Sequence, residues 1–198
     1  MNIVLHQPGI ALNTGNIGRT CVATGSVLHL IEPFGFRLDE KEIRRAGMDY
    51  WEKLDVRRYI NFEDFLMKNP ALLQTTKTGD GQGNEDAPDG QDNEGAPDGL
   101  ETHPRLYMAT TKAHKNYCDV NFGPDDYIMF GNESRGIPEE ILIEYEKTCI
   151  RIPMKEEIRS LNLANSVAVV LYEALRQNEF AGMQKNGELH RLSWKSSI

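Results

Sequence analysis

The chain has three cysteines in 198 residues, Cys21, Cys118 and Cys149, far apart and each set among apolar neighbours. That spacing gives neither a disulfide framework nor a thiolate-built zinc site, so three reduced structural thiols and no bound metal are expected. Long apolar runs are also missing. Nothing approaches the about 20 apolar residues of a membrane-spanning helix, and Met1-Asn2-Ile3-Val4-Leu5-His6 has no basic, leader-like character. A cytoplasmic protein without a membrane partner is expected. Positive charge is short as well: 22 Lys and Arg against 30 Asp and Glu leave -8, the wrong sign for gripping a polyanion by bulk charge. No G-x-G-x-x-G follows the first apolar segment, which disfavours a dinucleotide-binding oxidoreductase.

The acid is concentrated in one place. Residues 72–104 hold eight carboxylates against Lys77, which leaves the rest of the chain at -1. Within this stretch, Glu85-Asp86-Ala87-Pro88-Asp89-Gly90 and Glu94-Gly95-Ala96-Pro97-Asp98-Gly99 are near copies without aromatic or β-branched residues. Such a segment cannot bury enough surface to offset its ordering entropy and reads as a disordered insertion. Asp and Gly alternate there, yet no run matches an EF-hand loop with its closing Glu. Closing a connection of this length costs only about 2 kcal/mol more than closing a short one. The organisation expected is therefore a single domain over residues 1–178, interrupted at 72–104, followed by a tail at 179–198.

Short apolar runs at Ile3–Leu5, Val27–Ile31, Leu106–Thr110, Tyr127–Phe130 and Cys149–Ile152 read as buried strands. Between them, Asn16–Thr24 (closed by Gly25), Asp39–Ala46 (closed by Gly47), Phe62–Lys68 and a short segment after Pro138 read as helices. A longer helix from Asn162 to Gln177 places Leu163, Val167, Val170, Leu171 and Ala174 on one face. Strands alternating with helices imply an α/β fold with a parallel sheet.

Three polar segments stand out, each read as a turn: Asn13-Thr14-Gly15-Asn16-Ile17-Gly18-Arg19, Phe130-Gly131-Asn132-Glu133-Ser134-Arg135-Gly136-Ile137-Pro138, and Ile152-Pro153-Met154 with Arg159-Ser160-Leu161-Asn162-Leu163-Ala164-Asn165. Glycines let backbone approach a ligand, and Asn, Ser, Arg and Glu supply hydrogen-bonding groups. In the first segment, Asn13 or Asn16 can cap a helix, and Arg19 in a first helical turn either meets a nearby anion such as phosphate or is an exposed arginine or local ion pair. The second can equally be a surface loop with a Glu133–Arg135 charge pattern. In the third, Ser160, Asn162 and Asn165 at a helix N-terminus can cap that helix or meet an anion.

Together these segments resemble the three motifs of the SPOUT superfamily of knotted RNA methyltransferases, and the third is close to the TrmL-type tRNA ribose methyltransferases. The resemblance runs from about Asn2 to Gln177 and includes Arg44-Arg45-Ala46-Gly47-Met48-Asp49-Tyr50 and Ala109-Thr110-Thr111-Lys112. It implies an α/β knot, in which a parallel sheet flanked by helices ends in a C-terminal trefoil knot, and an obligate homodimer that binds S-adenosylmethionine bent in the knotted loops. Carried over by position, Ala109, Gly131, Ile152 and Ser160 contact the cofactor, with Thr110, Met154 and Leu161 beside them. Arg19, Asn13 and Glu133 form the catalytic set, and Arg135, Asn162 and Asn165 meet the substrate. Ala109 replaces a more usual leucine, and Ala11-Leu12 stand where relatives often have proline.

The implied reaction is 2′-O-methylation of the tRNA wobble pyrimidine, without a metal. Glu133 is a base on ordinary grounds, whereas an arginine stays protonated. The resemblance nevertheless points to Arg19, which is given the role of holding the phosphate beside the target ribose. RNA would meet local basic clusters, either Arg44, Arg45, Lys53, Arg57 and Arg58 or Lys112, Lys115 and Arg135, with Tyr50 or Trp51 stacking on a base or packing in the core. Alternatives are methylation of another tRNA position or of rRNA, and a non-catalytic RNA-binding knot protein. The Asn162–Gln177 helix carries more small and apolar positions than one domain face needs and is expected to contribute to the dimer interface.

Overall fold

A computed structural model of the chain describes residues 1–36, 51–73 and 103–194. The helix expected at Asp39–Ala46, the cations Arg44 and Arg45, Tyr50, and the acidic repeats lie outside these residues.

In chain order the strands are β1 (Asn2–His6), β2 (Val27–Ile31), β3 (Val56–Tyr59), β4 (Leu106–Ala109), β5 (Lys115–Asn116), β6 (Tyr127–Phe130) and β7 (Cys149–Arg151). The helices are α1 (Ala11–Thr24), α2 (Phe62–Lys68), α3 (Glu139–Glu144) and α4 (Leu163–Gln177). The strands form one seven-stranded sheet in the order β3-β2-β1-β6-β4-β7-β5. Every pairing is parallel. The inner strands are continuous apolar runs because both faces are covered. Ile3 and Leu5 pack with Ile17 of α1 and Val167 and Leu171 of α4, while Val4 between them packs with Phe65 of α2 and Leu142 of α3. Burying each such side chain contributes about 1.5–3 kcal/mol, so the alternation fixes which helices cover which face.

Two strands escaped the pattern reading. β3 carries Arg57 and Arg58, both exposed, and β5 is two polar residues. Edge strands need bury only part of one face, so apolar alternation is weak there.

The largest correction concerns α1. The helix begins at Ala11, five residues before the start expected at Asn16, and so contains the whole first motif. Asn13, Thr14, Gly15 and Gly18 are buried inside a helix and do not form a turn. Glycine here marks no turn and admits close packing: a Cβ on Gly18 would sit 3.0 Å from Leu54 Cδ2 and 3.1 Å from Trp51 Cζ3. Trp51 accordingly packs over α1. Neither Asn13 nor Asn16 is the cap, since the N-cap is Ile10 and makes no side-chain cap bond. Arg19 is five residues further along the helix than expected, about one and a half turns, and the macrodipole argument for an anion beside it fails.

Cys21 and Cys149 are buried free thiols, whereas Cys118 is exposed, contrary to expectation. Its Sγ donates to Asp119 Oδ1 at 3.6 Å. On β2, fully buried His29 shares a 2.8 Å hydrogen bond with Tyr59 Oη and contacts Asn2 Oδ1 at 3.2 Å. Asn69 extends this network, donating to Tyr59 Oη at 3.3 Å and accepting from Tyr127 Oη at 3.1 Å.

Candidate functional site

The carboxyl ends of β4, β6 and β7 lie side by side, and the loops that leave them enclose a cavity of about 470 Å³. This is where open parallel sheets bind ligands, and the volume suits a small molecule. Ala109 and Thr110 line it from the end of β4, Gly131, Glu133 and Arg135 from the loop after β6, and Ile152, Met154, Ser160, Leu161 and Asn162 from the segment after β7. Asn13 reaches it from α1. The three motifs, up to 149 residues apart in sequence, therefore share one wall.

Glu133 organises that wall. Its Oε2 accepts from Gly9 N at 2.8 Å, and its Oε1 accepts from Ile10 N at 3.2 Å and from Asn13 Nδ2 at 2.9 Å. It thus fastens, from a distant loop, the two backbone N–H groups that lead into α1 and the Asn13 side chain in its first turn. Asn13 Oδ1 in turn accepts from Asn162 Nδ2 at 3.0 Å. Asn162 Oδ1 caps α4, accepting from Ala164 N at 2.9 Å and Asn165 N at 3.3 Å. One chain of hydrogen bonds runs from the start of α1 through Glu133, Asn13 and Asn162 to the start of α4. Three of about four acceptor positions on the carboxylate are already filled, an arrangement suited to holding two helices and poorly suited to collecting a proton.

The helix N-terminus read as an anion site is closed by its own cap. Asn165 lies on the exposed stripe of α4 with Val169 and Tyr172 and does not line the cavity. Arg19 is exposed and does not line it either; it follows Leu12 and Asn16 along the outward stripe of α1.

The loop after β6 is drawn tight. A Cβ on Gly131 would lie 2.1 Å from Gly136 C and 2.2 Å from Ile137 N, so the chain crosses itself where a side chain cannot fit. Asn132 N donates to Gly136 O at 3.2 Å, and Gly136 N donates to Asn132 O at 2.8 Å. Gly136 adopts φ +74°, which favours glycine. Asn132, absent from the expected site, fastens this loop: its Oδ1 accepts from Ser134 N at 2.9 Å, and its Nδ2 donates to Gln7 O at 2.8 Å. An Asx turn beside two glycines was the available signal.

Cations outnumber carboxylates in the lining. Lys112, Arg135, Arg151 and Arg159 accompany Glu133 as its charged residues. Lys112 pairs with Glu139, whose carboxyl is held below its usual range by that hydrogen bond. Arg159 Nη2 donates to Ser134 O at 3.1 Å and ties the third motif to the second. The other basic candidates are partly neutralised, with Arg57 on Asp55 at 3.0 Å and Arg58 on Glu32 at 2.9 Å. Among the described residues no group of His, Cys, Asp and Glu is placed to hold a metal ion, and no helix is long and apolar enough to cross a membrane.

Comparison with known proteins places this arrangement. The model of the SpoU rRNA Methylase family matches residues 1–99 and 91–172. A tRNA (cytidine(34)-2'-O)-methyltransferase of Aeromonas hydrophila is 41% identical over 184 residues, covering 92% of this chain and 97% of its own. A solved structure, described as giving insights into the 2-OH methylation of C/U34 on tRNA, is 35% identical. It superposes with a TM-score of 0.70 over 90% of this chain and 95% of that one. An AdoMet-bound rRNA methyltransferase of Sinorhizobium meliloti shares the fold, with a TM-score of 0.64 at 22% identity, over 88% of this chain and 55% of that one.

Proposed function

The chain belongs to the SpoU methylase family of the SPOUT superfamily, and on that footing we propose that it transfers a methyl group from S-adenosylmethionine to the ribose 2′-hydroxyl of the wobble pyrimidine, cytidine or uridine 34, of a tRNA. The observation that carries this reading is the shared wall. Asn13, Glu133 and Asn162, one from each motif, are hydrogen-bonded into a single chain beside a ligand-sized cavity. The near full-length match, in both directions, to a relative named for that reaction supports the same substrate.

The cavity fits S-adenosylmethionine. Thr110 and Ser160 offer hydroxyls, and Ile150, Ile152 and Leu161 offer apolar surface on either side of the Gly131 crossing. When bound, the cofactor supplies an electrophilic methyl on a sulfonium that leaves as a neutral thioether. The chain's part is to align the 2′-hydroxyl with that methyl and to assist loss of a weakly acidic proton. Glu133 positions the wall by holding the lead-in to α1 and the Asn13 side chain. Arg19 holds the phosphate beside the target ribose and orients its hydroxyl, with the phosphate assisting proton loss. Arg135 lies at the mouth of the cavity and meets the RNA.

Arg19 faces away from the cavity of its own chain, so the site is completed by a second copy. Exposed apolar residues support a homodimer built on α1 and α4: Leu12 is 64% exposed beside the Arg19 stripe, and Tyr172 is 44% exposed on the Asn165 stripe. We take the loops after β6 and β7 to form the trefoil knot of the superfamily, within a single domain over residues 1–178. Nucleoside mapping by mass spectrometry of tRNA incubated with protein and labelled S-adenosylmethionine tests the reading.

A further inference from the structure

Among the described residues, Arg151 Nε is the one buried side-chain donor with no hydrogen-bond partner. It sits in the wall of the cavity. On β7 it pairs in register with Asn116 and alternates with Ile150, which belongs to the core under α1 and α4. Arg151 therefore shares the sheet face of Cys149, the side covered by α2 and α3. A charged donor that is buried and unpaired is costly, and one in the wall of a ligand-sized cavity is placed for an acceptor that a ligand brings.

S-adenosylmethionine carries one anionic group, its carboxylate, and several of the other donors around the cavity are engaged. The first-turn N–H groups of Ala164 and Asn165 already donate to Asn162 Oδ1. Lys112 is paired with Glu139, and Arg159 donates to Ser134 O. Building on the methyl-transfer reading, we propose that Arg151 is the residue that holds the cofactor's carboxylate, through a charge-assisted hydrogen bond from its guanidinium. Neither the motif resemblance nor the strand pattern marks it, because it occupies an ordinary strand position ahead of Ile152-Pro153-Met154.

Two ligands separate this role from a structural one. S-adenosylhomocysteine keeps the carboxylate, and 5′-methylthioadenosine lacks the amino-acid portion. By calorimetry, Arg151→Gln should weaken S-adenosylhomocysteine about ten- to hundredfold, the worth of a charge-assisted hydrogen bond, and leave 5′-methylthioadenosine within about twofold. Arg151→Lys, which keeps the charge but loses the planar donor, should weaken it less than Gln does. Without ligand, Arg151→Gln should melt no lower than the wild type, since it removes an unsatisfied group. Equal weakening of both ligands, an unchanged S-adenosylhomocysteine affinity, or a lower melting temperature without ligand would each overturn the proposal alone. Absence of S-adenosylhomocysteine binding by the wild-type protein would overturn the methyl-transfer reading and this proposal with it.

Discussion

Replacing Glu133 by Gln distinguishes a residue that holds the site from one that takes a proton. The carboxylate accepts from Gly9 N, Ile10 N and Asn13 Nδ2 at 2.8–3.2 Å. Gln keeps one acceptor oxygen and turns an NH₂ group toward at least one of these donors. Hydrogen bonds to a charged acceptor are worth about 1.5–3 kcal/mol each, and part of that survives with the remaining oxygen. The expected destabilisation is about 2–4 kcal/mol. For a chain of this size each kcal/mol shifts Tm by about 2–4 °C, so Tm should fall by roughly 5–15 °C. Because the start of α1 and the Asn13–Asn162 link loosen together, S-adenosylhomocysteine affinity should fall in the same variant. Differential scanning fluorimetry and calorimetry on one preparation measure both. Wild-type Tm and cofactor affinity combined with abolished turnover would refute the reasoning and make Glu133 the base.

Gly131→Ala places a methyl group about 2 Å from the Gly136–Ile137 peptide, so the loop must open. Cofactor binding should be lost to calorimetry, and retained affinity would show that the crossing is not part of the pocket. Arg19→Lys keeps the charge but not the multi-donor plane, so single-turnover methylation should fall sharply with S-adenosylhomocysteine affinity unchanged; near-normal turnover would reduce this arginine to a charge. Burial, with Arg57 adding and Asp55 opposing, pushes His29 down to about 4. The unfolded chain therefore binds a proton that the folded chain does not between about pH 6.5 and 4, and stability must decline as pH falls through that window. The loss reaches about 3 kcal/mol at its lower end. Burial lowers His6 too, adding in the same direction. Urea unfolding from pH 7.5 to 4.5 should show this decline and His29→Gln should flatten it; a wild-type profile that is flat there contradicts the assignment.

The strands and helices legible in the sequence were those buried by a regular pattern. β1, β2 and β6 are short apolar runs, and the face of α4 was read residue by residue through Leu163, Val167, Val170, Leu171 and Ala174. β3 and β5 were not legible because an edge strand such as Val56-Arg57-Arg58-Tyr59 buries too little to impose alternation. The start of α1 was misplaced for a different reason. The residues leading into it are held by Glu133, more than 120 residues away, and Gly15 and Gly18 are buried within it, which no local propensity expresses. The motif letters did bring together residues that line one cavity, Asn13 from α1, Glu133 from the loop after β6 and Asn162 from the start of α4. They could not give the direction of each side chain. Arg19 and Asn165 turned out to face away from the cavity, and Arg151 went unnoticed within a strand.

The account rests on where the methyl group goes. Purified protein should be incubated with tRNA and S-adenosylmethionine labelled in the methyl group, and the tRNA digested and mapped by mass spectrometry. The account predicts a single 2′-O-methylated cytidine or uridine at position 34 and no modified base. Methylation of a base, methylation at a different ribose, or unmodified tRNA from protein that demonstrably binds the cofactor would contradict it.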